Sequence, residues 1–165
     1  MENIIIALVC ITMLVVGAVT LALSAFNSVD TLVFAWKEGE SVAEEIRSTS
    51  ISSVSSVTNA EGTQVDIVVE NDGNADLADF DRWDLIITYQ DGSVQWLPYT
   101  TGTPGWTVSG IYLDGNPEIY GPNILNPMET MNMVLKLSPA AAEDATNLAK
   151  IATANGVSTQ ITFGR

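Results

Sequence analysis

From Asn3 to Val29 the chain reads NIIIALVCITMLVVGAVTLALSAFNSV, without a charged residue. As a helix rising ~1.5 Å per residue, such a stretch is about 40 Å long. That exceeds the ~30 Å hydrocarbon core of a bilayer, which the segment can span with some tilt. Its polar residues, Thr12, Thr20, Ser24 and Asn27 among them, are few and uncharged. A helix that is apolar all round requires a cover, either lipid or protein.

The segment carries no basic n-region and no small-residue cleavage site, and it is too long for the h-region of a secretory signal. Its early charge is Glu2, and the first basic residue is Lys37. An uncleaved anchor normally has Lys or Arg beside one end to set its orientation. Two readings follow: a basic leader has been removed, or orientation is set elsewhere. A starting Met fits both. Ala18 and Ala22, with Gly17 and Ala25 nearby, make a small-residue patch where a second helix can approach closely. The patch, the length and the all-round apolarity together favour helix–helix packing over a lone anchor.

A chain of 165 residues accommodates one ordinary domain plus an appended segment. Six Lys and Arg against twenty Asp and Glu give a formal net charge of -14. That sign repels nucleic acid and anionic lipid, and a solvated, self-repelling exterior is its ordinary meaning. Cys10 is the single cysteine, placed mid-span, where it reads as a small apolar residue. Histidine is absent, which removes the commonest general base and transition-metal ligand.

From Asp30 the helical pattern turns amphipathic, with Leu32, Val33, Ala35, Trp36, Val42, Ala43 and Ile46 mostly at three- and four-residue spacing. Gly39 is a thin spot in that run. Ser48–Thr58 (STSISSVSSVT) is hydroxyl-rich and a poor helix interior. It suits a helix end or an edge strand, and is assigned as a neck between rod and head. The domain reading is therefore helix and neck over 1–58 and a globular β-rich head over 59–165.

Beyond Asn59 the pattern is strands and turns. Strands are expected at 64–70, 83–90, 93–99, 106–113, 130–137 and 157–163. Asp91-Gly92 predicts a tight hairpin with both turn residues at positive φ, and Pro98 marks its second strand as an edge. Ser138-Pro139 reads as the start of a weak Ala/Thr-rich helix that ends at Gly156. The fold class is α+β: a long N-terminal hydrophobic helix followed by an antiparallel β-sandwich or small-barrel head of immunoglobulin-like kind.

Little here points to chemistry. The carboxylates Glu70, Asp72, Asp76, Asp79, Asp81 and Asp84 are dense enough to raise a Ca²⁺ site. With Asp72, Asn74 and Asp76 at positions one, three and five of an EF-hand loop, Leu77 falls where Gly is required. An acidic solvated turn is the assigned reading, and no metal site is expected. No Gly-rich phosphate loop or G-x-S-x-G element is present, so no catalytic residue, cofactor or small-molecule substrate is expected. Trp83, Trp96 and Trp106 lie in or at the start of strands, where a packed core or subunit contact outweighs sugar binding. Trp36 lies where an aromatic marks a membrane interface or subunit seam. No N-x-[ST] sequon occurs.

This order of parts resembles the archaeal type IV pilin superfamily, and within it the archaellins. The likeness covers the whole chain, and three head phrases carry it: VDIVVENDGNADLADFDRWDLIITYQDG (Val65–Gly92), LNPMETMNMVLKLS (Leu125–Ser138) and ANGVSTQITF (Ala154–Phe163). In the family an Asn-Pro-Gly-Glu-like turn follows the aspartate–aromatic strand; here Met128 stands in place of that Gly, before Glu129. No acid stands at position five, where bacterial type IV pilins carry Glu, and Glu2 fits the archaeal branch better.

The resemblance implies assembly. A membrane peptidase would remove a short basic leader, and the helix would rest in the cytoplasmic membrane before packing with identical copies into an extracellular filament. A dedicated ATPase and platform would drive that step. Helix packing in the filament core would fall to Ile4, Ile5, Ile6, Leu8, Val9, Ile11, Leu14, Val15, Gly17, Ala18, Ala22, Ala25 and Phe26. The expected function is a structural subunit of a motility filament, a homopolymer and not an enzyme. The alternatives are a membrane-anchored stator-like accessory of the same machinery and an adhesive pilin.

Overall fold

The structure, a computed structural model, describes residues 2–165. The chain forms two compact units, one reaching to Ala43 and the other Glu44–Arg165. One helix, α1, runs Glu2–Ser48, and neither Gly17 nor Gly39 interrupts it. The sequence supplies no proline there, and Arg47 in the last turn complements the negative end of the helix dipole. The hydroxyls within α1 bond back to its own carbonyls. Thr12 Oγ1 donates to Val9 O at 2.8 Å, Ser28 Oγ to Ser24 O at 2.8 Å and Thr31 Oγ1 to Asn27 O at 2.9 Å. Thr20 Oγ1 does the same to Gly17 O at 3.2 Å and to Val16 O.

The head is built from strands β1 (Ile51–Thr58), β2 (Gln64–Asn71), β3 (Asp84–Thr88), β4 (Val94–Leu97), β5 (Gly105–Leu113), β6 (Asn116–Pro117), β7 (Thr130–Lys136), β8 (Thr146–Ala152) and β9 (Ser158–Gly164). They form two antiparallel sheets, ordered β1-β2-β7-β5-β6 and β4-β3-β8-β9. Period-two alternation fixes which side of each strand faces inward. Val65, Ile67 and Val69 of β2 oppose Leu135, Met133 and Met131 of β7, all fully buried. Leu85 and Ile87 of β3 and Ala149 and Ile151 of β8 complete the core from the second sheet. This is the expected α+β architecture of apolar helix and β-sandwich head.

The strand expectations hold, with ends shifted by a residue or two. The hydroxyl-rich neck is β1, an edge strand of the larger sheet, with a bulge between Ser53 and Ser55. Pro98 lies just past β4, the edge of the smaller sheet.

The helix expected after Ser138-Pro139 is absent. Its second half is strand β8, paired with β3 on one side and β9 on the other. Asn147, Ala149 and Ile151 point inward and are buried, while Lys150 is exposed. Weak helix propensity yields here to two complete ladders and a place in the core. The first half is a loop fastened to the head. Ala141, buried, donates its amide to Gly62 O at 2.8 Å, and Tyr89 donates its hydroxyl to Pro139 O at 2.8 Å.

The β3–β4 hairpin also differs from expectation. Gly92 is at φ 85, but Asp91 is not in the left-handed region. Asp91 instead accepts from Ser93 N at 2.8 Å and Ser93 Oγ at 2.6 Å, closing a longer turn with its side chain. Those bonds hold the Asp91 carboxyl below the ordinary carboxylate range. At the Asn-Pro-Met-Glu turn, Met128 has φ 69 and an exposed side chain. It adopts the left-handed backbone for which glycine is suited.

Candidate assembly interface

Along α1 a seam runs at alternating four- and three-residue spacing through Ile4, Leu8, Ile11, Val15, Ala18, Ala22, Ala25, Val29, Leu32, Trp36, Gly39 and Ala43. Every position on it is apolar or glycine, the a/d pattern by which helices pack in left-handed supercoils. The charged residues Asp30, Lys37, Glu38 and Glu40 all lie off it. The large apolar side chains are exposed along the length, from Ile4 through Leu14 and Phe26 to Trp36. At the centre three successive seam positions are alanine, so a facing backbone can approach most closely there.

Of the residues expected to pack in a filament core, Ile4, Leu8, Ile11, Val15, Ala18, Ala22 and Ala25 fall on this seam. Ile5, Ile6, Val9, Leu14, Gly17 and Phe26 lie on other faces of the same helix. The amphipathic positions Leu32, Trp36 and Ala43 continue the same seam, with Gly39 between them.

Within the head unit, the last turn of α1 and the residues after it are tied down by several groups. Ser48 O accepts from Asn74 N at 2.7 Å and Ala75 N at 3.1 Å, which satisfies a carbonyl that the helix end would leave free. Gly73 permits that approach, because a Cβ there would lie 2.6 Å from Ser48 O. Thr49, nearly buried, donates Oγ1 to Glu45 O at 2.8 Å and accepts from Asn155 Nδ2 at 2.7 Å. Beneath them Asn71, fully buried, donates Nδ2 to Ala75 O (2.8 Å) and Leu125 O (2.9 Å) and accepts from Gly73 N (3.1 Å). The Asn71–Ala75 turn, which reads as a solvent loop in sequence, is a structural clasp.

The serines of β1 have a comparable task. Among the described residues the outer edges of β1 and β9 pair with no further strand, yet Ser53 Oγ donates to Gln160 O and Ser56 Oγ to Thr162 O, each at 2.9 Å. Hydroxyls thus join the free edges of the two sheets, which offers one way to manage exposed strand edges.

The remaining candidates separate by environment. Among the described residues no group of three or more His, Cys, Asp or Glu side chains is placed to hold a metal ion. Trp83 and Trp106 are core residues; Trp36 and Trp96 are exposed. A cleft of about 550 Å³ between the β3–β4 turn and the Pro139–Ala145 loop is lined by Tyr89, Asp91, Glu143 and Asp144 among others. Burial, then the Asp91 charge, pushes the Tyr89 phenol up. The Tyr89 hydroxyl already binds Gln95 Oε1 (2.9 Å) and Pro139 O, so its role is structural.

No protein-family model matches this chain, and no curated protein is detectably similar to it in sequence. Solved structures do match. The archaeal flagellum of Methanospirillum hungatei strain JF1 is similar at TM-score 0.59 and 15% identity, over 96% of this chain and 90% of that one. The archaellum periplasmic stator protein FlaG from Sulfolobus acidocaldarius is similar at TM-score 0.56 and 18% identity, over 70% and 99%. An archaeal flagellin from Methanocaldococcus jannaschii gives 0.56 and 13%, over 70% and 88%. The chain has an archaellin-like fold.

Proposed function

We propose that this chain is the repeating structural subunit of an archaellum-type helical filament, with α1 in the core and the β head in the outer shell. One observation carries the reading: the apolar seam outlasts any membrane. From Ile4 to Ala43 it follows a helix about 60 Å long, against a hydrocarbon core of ~30 Å. Lipid can cover the first half. The second half, with charges on its other faces and Leu32, Trp36 and Ala43 on the seam, calls for a protein cover. Identical helices laid side by side supply it. The likeness to the Methanospirillum hungatei flagellum supports the reading, since it extends over 96% of this chain and so takes in the helix.

Assembly in this form is a homopolymerisation and involves no catalysis by this chain. Its place would be the cell surface, after residence of the helix in the membrane, with a leader peptidase and an assembly ATPase as the machinery partners. Sheared cell-surface preparations should contain this polypeptide in helical filaments under negative stain; its absence from every filament would sink the reading.

A second reading, a membrane-held stator-like accessory, is favoured by one observation: the similarity to FlaG takes in 99% of that structure. Fractionation separates the two. A stator stays with membranes after shearing, whereas a filament subunit is released in large copy number.

A further inference from the structure

The outward face of the four-stranded sheet is unusual for a surface in water. Cross-strand register places Trp96, Ile86, Lys150 and Gln160 in one row and Val94, Thr88, Leu148 and Thr162 in the next. A solvated face of an antiparallel sheet is normally polar. Here Val94 is 67% and Trp96 57% exposed, with Ile86 and Leu148 half-buried beside them. The Trp96 indole N–H donates to Asp84 Oδ1 at 3.2 Å, so its polar handle is occupied and its ring remains as apolar surface.

The charge in this face is as informative as its apolarity. Arg82 pairs with Asp79, Arg165 pairs with Glu143, and Lys136 donates to Thr101 O. Lys150, like Lys37 and Arg47 on α1, is exposed with no ion pair or hydrogen bond among the described residues, and it is the one such cation on a strand of the head. Asp84, one row away on the same face, is engaged by the Trp96 indole, and in a chain of net charge -14 the Lys150 ammonium is the complement this face offers to a further carboxylate. The densest carboxylates lie on the turn that carries Asp72, Asp76, Asp79 and Asp81, all exposed. That turn is held rigidly by Asn71, by the Leu77–Leu125 bridge and by Trp83 Nε1 donating to Ala78 O at 3.0 Å. A rigid epitope loses little entropy on docking.

We propose that the Trp96–Ile86–Leu148–Lys150 face docks the Asp72–Asp81 turn of a second copy of this chain. The inference rests on the filament reading and specifies how neighbouring heads meet. Because face and turn are different surfaces, the contact is heterologous and propagates from copy to copy as a filament requires. It also gives subunits that repel one another by net charge a specific attractive point of contact.

The test uses the full chain in sheared filaments with a photocrosslinking benzoylphenylalanine at position 94. Mass spectrometry should place the crosslink on the peptide containing residues 72–81 of a second copy. Crosslinks confined to other segments, or to another protein, overturn the proposal. Lys150→Glu should leave the head folded by circular dichroism but raise the free-subunit fraction about tenfold, and adding Asp76→Lys should restore assembly. An unchanged fraction in Lys150→Glu overturns the docking alone. Failure of the unaltered chain to appear in any filament overturns the filament reading and the docking with it.

Discussion

The backbone amide of Asn74 lies 2.7 Å from the carbonyl oxygen of Ser48, so a turn between strands closes the end of the long helix. That closeness depends on Gly73. A Cβ at that position would meet Ser48 O at 2.6 Å and the Thr49 carbonyl carbon at 3.1 Å, both backbone atoms with little freedom to yield. Gly73→Ala should lower the stability of the head by about 1–3 kcal/mol. Thermal unfolding of the full chain in detergent, followed on the β signal, measures this.

Asn71 gives a second, chemically distinct test. Its Nδ2 points at two carbonyl oxygens, Ala75 O and Leu125 O, in a fully buried site. Asn71→Asp keeps the shape but turns a donor into a carboxylate oxygen facing two acceptors. A loss of about 3 kcal/mol or more is expected, shrinking as pH falls and the new acid protonates. Denaturant titration at pH 7 and pH 4 reads both the loss and its recovery.

Met128 sits at φ 69 with its side chain in solvent. Met128→Gly therefore removes backbone strain and forfeits little packing. A gain of about 0.5–1 kcal/mol is expected, the left-handed strain relieved less the added freedom of the unfolded chain. A melting temperature at or below that of the parent would contradict it.

Glu118 accepts from Tyr120 N at 2.6 Å and Gly121 N at 3.1 Å, and these bonds hold its carboxyl below the ordinary glutamate value of 4.5. A lowered folded value means that the stabilisation is complete above 4.5 and is lost as pH falls through the lower, folded one. The Tyr120 and Gly121 amide resonances should move in that acid range. Glu118→Gln should abolish the movement.

The seam on α1 can be tested without adding charge or polarity. Ala22→Leu lengthens a side chain where the proposed packing would bring backbones closest, at a cost of about 1–3 kcal/mol per helix contact. Membrane partition should be kept or strengthened, while filament yield should collapse. The same exchange at Cys10, off the seam, should be milder. Equal yields from both variants would argue against the seam.

Much of this architecture is legible in the sequence because burial leaves a period. β2 and β7 alternate plainly, and their inward residues meet in the core as expected. β8 alternates as well: Asn147, Ala149 and Ile151 face in, with Leu148 and Lys150 between them. Its alanines and threonines, behind a Ser-Pro start, mimic a weak helix when read locally. Only the neighbouring β3 and β9, far away in sequence, decide for strand. The apolar seam on α1 is legible by two different signals. Absence of charge identifies its first half; beyond Val29 charge returns, and three- and four-residue spacing sets Leu32, Trp36 and Ala43 apart from Lys37 and Glu40. The clasp at Asn71 had no local signal, since an Asn-Asp-Gly-Asn run looks the same whether or not it closes a helix end.

The inward hydrogen bonding of Thr12, Thr20, Ser28 and Thr31 has a consequence for how this helix would change surroundings. Each hydroxyl proton has a partner that travels with it. In the proposed assembly, passage from lipid to a bundle of sister helices requires these groups neither to break a bond on departure nor to find one on arrival. For these groups the two habitats are interchangeable, and the exchange reduces to one set of dispersion contacts against another. The choice between them then rests with the shape of the alanine-lined seam.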